Sequence, residues 1–143
     1  MKRSKVLSGL AGLTLAAASL AGCILVDGDD DHDHVDDLGN GSLTVTTAIN
    51  GLSDARRCSD DDVDLLAVRV ESEEGFVYKA RVNCEEFGVT FDGLGAGYHD
   101  VDVWLEDFDG DPRSDVVRVP SVEVIDGMDT LVDVDIPSES IYR

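Results

Sequence analysis

The sequence predicts an all-β fold, a single seven-stranded antiparallel β-sandwich that follows a charged-then-apolar N-terminus and an acidic linker. Three observations carry this reading. From Ser42 onward, apolar residues recur at every second position in seven short runs, the period at which an extended chain returns its side chains to one face. The runs are separated by Gly, Asp and Asn clusters, the residues that turns require. After residue 22, no 11-residue window carries an apolar stripe at helical spacing. About 95 residues with one apolar face per strand suffice for one core.

The N-terminus reads in three parts: "MKRSK" with Lys2, Arg3 and Lys5, a 17-residue apolar stretch from Val6 to Gly22, and Cys23. Basic residues, a short apolar run and small residues before a cut form an export signal. A retained membrane anchor is the alternative, at the lower limit of spanning length. Leu20-Ala21-Gly22-Cys23 resembles the bacterial lipobox. The resemblance implies cleavage before Cys23 and attachment of lipid to its thiol. It divides the chain into a lipoprotein signal peptide (1–22), a lipidated cysteine with a disordered acidic linker (23–41), a β-sandwich (42–137) and a C-terminal tail (138–143). The stretch "ILVDGDDDHDHVDDLGNG" (24–41) is too polar to fold alone and its like charges extend it, to at most about 60 Å.

Each strand is justified by its own alternation. "SLTVTTAI" puts Leu43, Val45, Thr47 and Ile49 on one face, and "LLAVRVES" does the same with Leu66, Val68 and Val70. "FVYKARVNC" aligns Phe76, Tyr78, Ala80, Val82 and Cys84 against Lys79 and Arg81. "FGVTF" aligns Phe87, Val89 and Phe91, and "HDVDVWLED" sets Val101, Val103 and Leu105 against Asp100, Asp102 and Glu106. "DVVRVPSVEVI" and "TLVDVDIP" complete the set, the last with Val132, Val134 and Ile136 inward. Pro120 has no amide hydrogen, so its run is an edge strand or is broken there. "SDARRCSDDD" (53–62) reads as an irregular loop with at most one helical turn.

Without residues 1–22 the chain holds 8 Lys and Arg against 31 Asp and Glu, a formal charge of −23. Such a surface repels nucleic acid and anionic headgroups and favours cations, basic proteins or solubility. Once Cys23 is assigned to lipid, Cys58 and Cys84 remain. An exported chain with an even remainder predicts one disulfide between them, with two buried free thiols as the alternative. The bridge would staple the 53–62 loop to the core.

"FDGLGAGYHDVDVWLED" (91–107) is similar to the segment of carboxypeptidase-regulatory-like domains in which a Gly-rich turn and Gly-Tyr precede a long alternating strand. Here Leu94, Gly95, Gly97 and Tyr98 hold those places, and "DGMDTLVDVDIP" resembles the closing turn and strand. The family carries prolines where this chain has "GLGAGY". The resemblance implies a prealbumin-like (transthyretin-like) sandwich, displayed on secreted or surface-anchored proteins and non-catalytic.

Candidate chemistry is sparse. His32 and His34 lie among aspartates, a donor set that suits transition metals but lacks a preorganised frame. Asp107, Asp109 and Asp111 resemble the start of a calcium loop. An EF-hand beginning at Asp107 needs Gly and Glu where Pro112 and Arg118 stand, and Asp109-Gly110 reads as a turn between strands. His99 has no assignable nucleophile to serve and reads as structural. Tyr98 reads as a corner residue, and Trp104, on the polar parity of its strand, as an exposed contact or a cover for its sheet. The expectation is a non-enzymatic, lipid-anchored protein of the bacterial cell envelope, on the outer membrane or cell surface and without a cofactor. Its membrane partner is reached through Cys23, its other partner being an envelope protein or glycan. The alternative is a module that binds calcium or another cation through its acidic loops.

Overall fold

Leu43, Val45, Thr47 and Ile49 are all buried along β1 (Gly41–Ile49), while the residues between them face outward. The computed structural model describes residues 39–142. The signal segment, Cys23, His32 and His34, and the linker up to residue 38 lie outside the described residues. After β1 come a short helix α1 (Ala55–Asp60), β2 (Leu65–Ser72), β3 (Val77–Asn83), β4 (Gly88–Leu94), β5 (Gly97–Glu106), β6 (Val117–Val124) and β7 (Asp129–Ile136).

The seven strands form two sheets, one in the order β4-β1-β7 and one in the order β3-β2-β5-β6. Leu43, Val45, Ile49, Val134 and Ile136 of the first sheet pack against Leu66, Val68, Val70, Val101, Val103 and Leu105 of the second. Each such side chain contributes about 1.5 to 3 kcal/mol when taken from water. The four-stranded sheet is antiparallel throughout. The three-stranded sheet is not: β1 pairs antiparallel with β4 but parallel with β7, from Ser42 opposite Asp129 to Ile49 opposite Ile136. The expected all-antiparallel sandwich is corrected to a mixed one. Alternation of period two fixes which side chains face inward, and it is the same for either strand direction.

Pro120 sits where its missing amide costs least. β6 is the edge of its sheet. Pro120 and Ser121 together stand opposite Asp100, a bulge in which Ser121 takes a positive φ of 55° and its amide donates to Asp100 Oδ1 at 3.0 Å. The strand read over 76–84 is shorter at both ends. Phe76 lies in the turn, half exposed, and Cys84 opens a 3-10 turn (Cys84–Glu86). Beyond β7, residues 138–142 fold back: Ile141 is buried, bridges to Ser114, and the Tyr142 amide donates to the Arg113 carbonyl at 2.7 Å.

The outer face of the three-stranded sheet is largely hydroxyl and carboxylate. Ser42 donates to Asp129 at 2.8 Å, Thr44 bonds Thr90 at 2.9 Å, and the Thr46 hydroxyl bonds Asp133. Cross-strand pairs of this kind hold the face in register, with Leu131, 61% exposed, as an apolar residue among them.

Candidate functional site

Cys58 and Cys84 are bridged, with Cα atoms 5.9 Å apart, and both are buried. Helix α1 presents Cys58 inward, and its N-cap Asp54 accepts from the Arg56 amide at 3.0 Å. Hydrogen bonding from the Arg56 side chain and amide holds the Asp54 carboxyl below its ordinary pKa. With so few turns, α1 depends on this cap and on the bridge.

The outer face of the four-stranded sheet departs from the expected polar-out pattern. Asp102 and Glu106, read as solvent-facing, are 5% and 2% exposed. Register explains it: β3, β2, β5 and β6 place Lys79, Arg69, Asp102 and Arg118 in one cross-strand row. Arg118 donates to both oxygens of Asp102, and Arg69 Nη1 adds a contact to Oδ2 at 3.2 Å. The hydrogen bond from Arg118 outweighs burial and lowers the Asp102 pKa, while the same bond raises that of Arg118. In the neighbouring row Arg81 and Trp104 flank Ala67, which is buried beneath them. Trp104 Nε1 donates to Glu106 Oε1 at 2.7 Å, and Arg81 Nε lies 2.9 Å from Glu106 Oε2. Trp104 is therefore a cover for its sheet, tied down at its only polar atom.

The acidic loop after β5 spends its first carboxylate on itself. Asp107 Oδ1 accepts from the amides of Asp109 and Asp111 at 3.1 and 2.9 Å, and Asp107 Oδ2 lies 3.4 Å from Arg113 Nε. Gly110, at φ 86°, closes the turn. Asp107, Asp109 and Asp111 thus form an Asx-type turn, and no group of three or more His, Cys, Asp or Glu is placed to hold a metal ion among the described residues.

The strand order brings the β2–β3 turn, the β4–β5 turn, the β6–β7 turn and the start of β1 to one end of the sandwich. Between the first two turns lies a cleft of about 360 Å³. Phe76, Tyr78 and Tyr98 line it with Glu73, Glu74 and His99, and Gly39, where the linker arrives, lies on its border. The Ser72 amide closes the β2–β3 turn on the Phe76 carbonyl at 2.9 Å, and the Glu73 amide ties that turn to the start of β5 at the Tyr98 carbonyl, 3.2 Å away. His99 is 3% exposed, its Nδ1 lying 3.3 Å from the Gly97 carbonyl. A carbonyl only accepts, so Nδ1 is the donor in that contact. A larger hollow of about 440 Å³ lies over Thr46, Thr47 and Phe87, but its Thr46 hydroxyl and Asp133 carboxylate are bonded to each other. The cleft is the better candidate because its Glu73 and Glu74 carboxylates have no hydrogen-bond or ion-pair partner among the described residues.

No family model and no curated protein matches the chain. Sequence reasoning placed Phe76 in a strand and Tyr98 at a corner, and so missed the cleft. A signal was present. "EEGF" and "GAGY" each put an aromatic residue directly after a turn glycine, and strands that run up and down bring both turns to the same end.

Proposed function

We propose that this chain is a lipid-anchored bacterial envelope protein that displays a non-catalytic β-sandwich as a binding module. The observation that carries the reading is Leu20-Ala21-Gly22-Cys23 at the close of a basic-then-apolar segment. In this reading the peptide is cut before Cys23, the thiol carries diacylglycerol, and the acidic linker holds the domain off the bilayer. Ile24 follows the cysteine in place of the Asp that retains lipoproteins at the inner membrane of enteric-type bacteria, which favours the outer membrane or cell surface. An envelope protein or glycan is the partner class. A prealbumin-like classification belongs to the same proposal, supported by sheets of three and four strands and by "GLGAGY" leading into β5.

Buried methylenes contribute about 0.8 kcal/mol each, so an acylated Cys23 makes the attachment effectively permanent. The test is metabolic labelling with a fatty-acid probe. Wild type takes up label and is processed, whereas Cys23→Ser remains an uncleaved, unlabelled precursor. Equal labelling of the two chains overturns the anchor.

A further inference from the structure

We propose that the cleft between the β2–β3 and β4–β5 turns binds an organic ammonium ion. Phe76, in the β2–β3 turn, and Tyr98, at the start of β5, are 50% and 46% exposed, and the Glu73 amide bonds the Tyr98 carbonyl between them. Aromatic faces carry partial negative charge and attract cations, most strongly where water is partly excluded. The Glu73 and Glu74 carboxylates and the Tyr78 and Tyr98 hydroxyls line the same cleft and have no hydrogen-bond or ion-pair partner among the described residues. Asp102 and Glu106 are engaged by arginines and Asp129 and Asp133 by hydroxyls. Here two unengaged carboxylates share one cleft with three aromatic residues.

The lining also decides between ligand classes. It contains no Arg or Lys, and its carboxylates are those of Glu73 and Glu74. An anion meets two carboxylates there and no Arg or Lys. An ammonium group supplies donors or a bare cationic face and asks for none. A cleft of about 360 Å³ falls in the range of small-ligand sites. The net charge of −23 beyond residue 22 draws cations toward the whole surface, and the aromatic walls select those with an apolar shell over sodium or potassium. Either a free amine or a lipid headgroup offers this chemistry.

The inference deepens the binding-module reading but is independent of acylation, since labelling of Cys23 and occupancy of the cleft are measured separately. The full chain, held in a neutral maltoside detergent, is titrated with choline chloride while amide and tyrosine-ring chemical shifts are followed. Sodium chloride at matched ionic strength is the control. Saturable shifts at Gly97, Tyr98 and His99, and in the rings of Tyr78 and Tyr98, are expected with choline alone. Phe76→Ala and Tyr98→Ala should each weaken binding about fivefold, as should the pair Glu73→Gln with Glu74→Gln. Both aromatic positions are half exposed, so unchanged shifts elsewhere verify that the variants fold. Tighter binding of glycerophosphocholine than of choline assigns a headgroup as the source, and the reverse assigns a free amine. Shifts shared with sodium chloride, or aromatic variants that bind as wild type does, overturn the proposal.

Discussion

Arg118 grips Asp102 at both oxygens, Nε to Oδ1 at 2.6 Å and Nη2 to Oδ2 at 2.8 Å, across the β5–β6 pairing. Asp102 is 5% exposed and Arg118 stands over it, so the fork shields the carboxylate from water while neutralising it. The folded-state pKa of Asp102 is lowered, chiefly by this bond. Its contribution is therefore fully present above the unfolded carboxylate value of about 4 and is lost as pH falls through the lower folded value. Asp102→Asn should cost about 2 kcal/mol near neutral pH. Urea unfolding across pH should show that gap constant from neutrality to about pH 5 and closing in acid. A gap that widens in acid would contradict this sign.

Glu106 tests a different balance, because its partners differ. Trp104 Nε1 needs an acceptor at Oε1, and Arg81 needs the charge. Glu106→Gln keeps the acceptor and should cost about 1 kcal/mol, since Arg81 is exposed enough to rehydrate. Glu106→Ala also strands the indole N–H and leaves a void, and should cost about 3 kcal/mol. The comparison is read from chemical denaturation followed by the emission of Trp104, the single tryptophan.

Losing the Cys58–Cys84 bridge should destabilise the domain by about 3 to 4 kcal/mol for a loop spanning 26 residues. Hydrogen exchange should rise first in α1, which has few turns and little apolar surface of its own. Added salt should stabilise bridged and unbridged chains alike, because screening relieves repulsion among 31 acidic groups. A Cys58→Ala, Cys84→Ala chain that melts with the parent at every salt concentration would remove the bridge from the account of stability.

Ser121 sits at φ 55°, where a Cβ is strained and glycine is not. Its amide bond to Asp100 survives substitution. Ser121→Gly should raise stability by about 0.5 kcal/mol, the relieved strain less the added unfolded-state entropy. The denaturation midpoint measures it. A lower midpoint would mean the serine side chain contributes more than its backbone costs.

The strands were legible because inward and outward residues differ sharply in character, as in Leu66, Val68 and Val70 on β2 or Val101, Val103 and Leu105 on β5. Pro120 also announced an edge correctly. Strand direction was not legible. Thr44 and Thr46 alternate identically whether β7 runs with β1 or against it. The burial of Asp102 and Glu106 was hidden for a related reason. Each is covered by arginines from strands 16 to 33 residues away, and only the register brings them together. The cleft is the extreme case. Glu73 and Tyr98 share no element, and their meeting depends on two turns closing at the same end.

The parallel seam between β1 and β7 has a mechanical consequence. A pull transmitted through the linker enters at the first residue of β1, while any load on the segment after Ile136 leaves from the last residue of β7. Two parallel strands drawn from opposite ends cannot peel apart one rung at a time, so the rungs between Ser42 and Ile136 bear the load in shear and yield together. β1 is also held on its other side by β4, so the strand nearest the linker is the one least able to slide. Forced unfolding is governed by the unfolding barrier rather than by equilibrium stability. Stretching the domain between its ends should therefore give a single high-force rupture. Pulling from Gly75 and Gly127, in the β2–β3 and β6–β7 turns, loads the sheets differently and should unzip them at lower force.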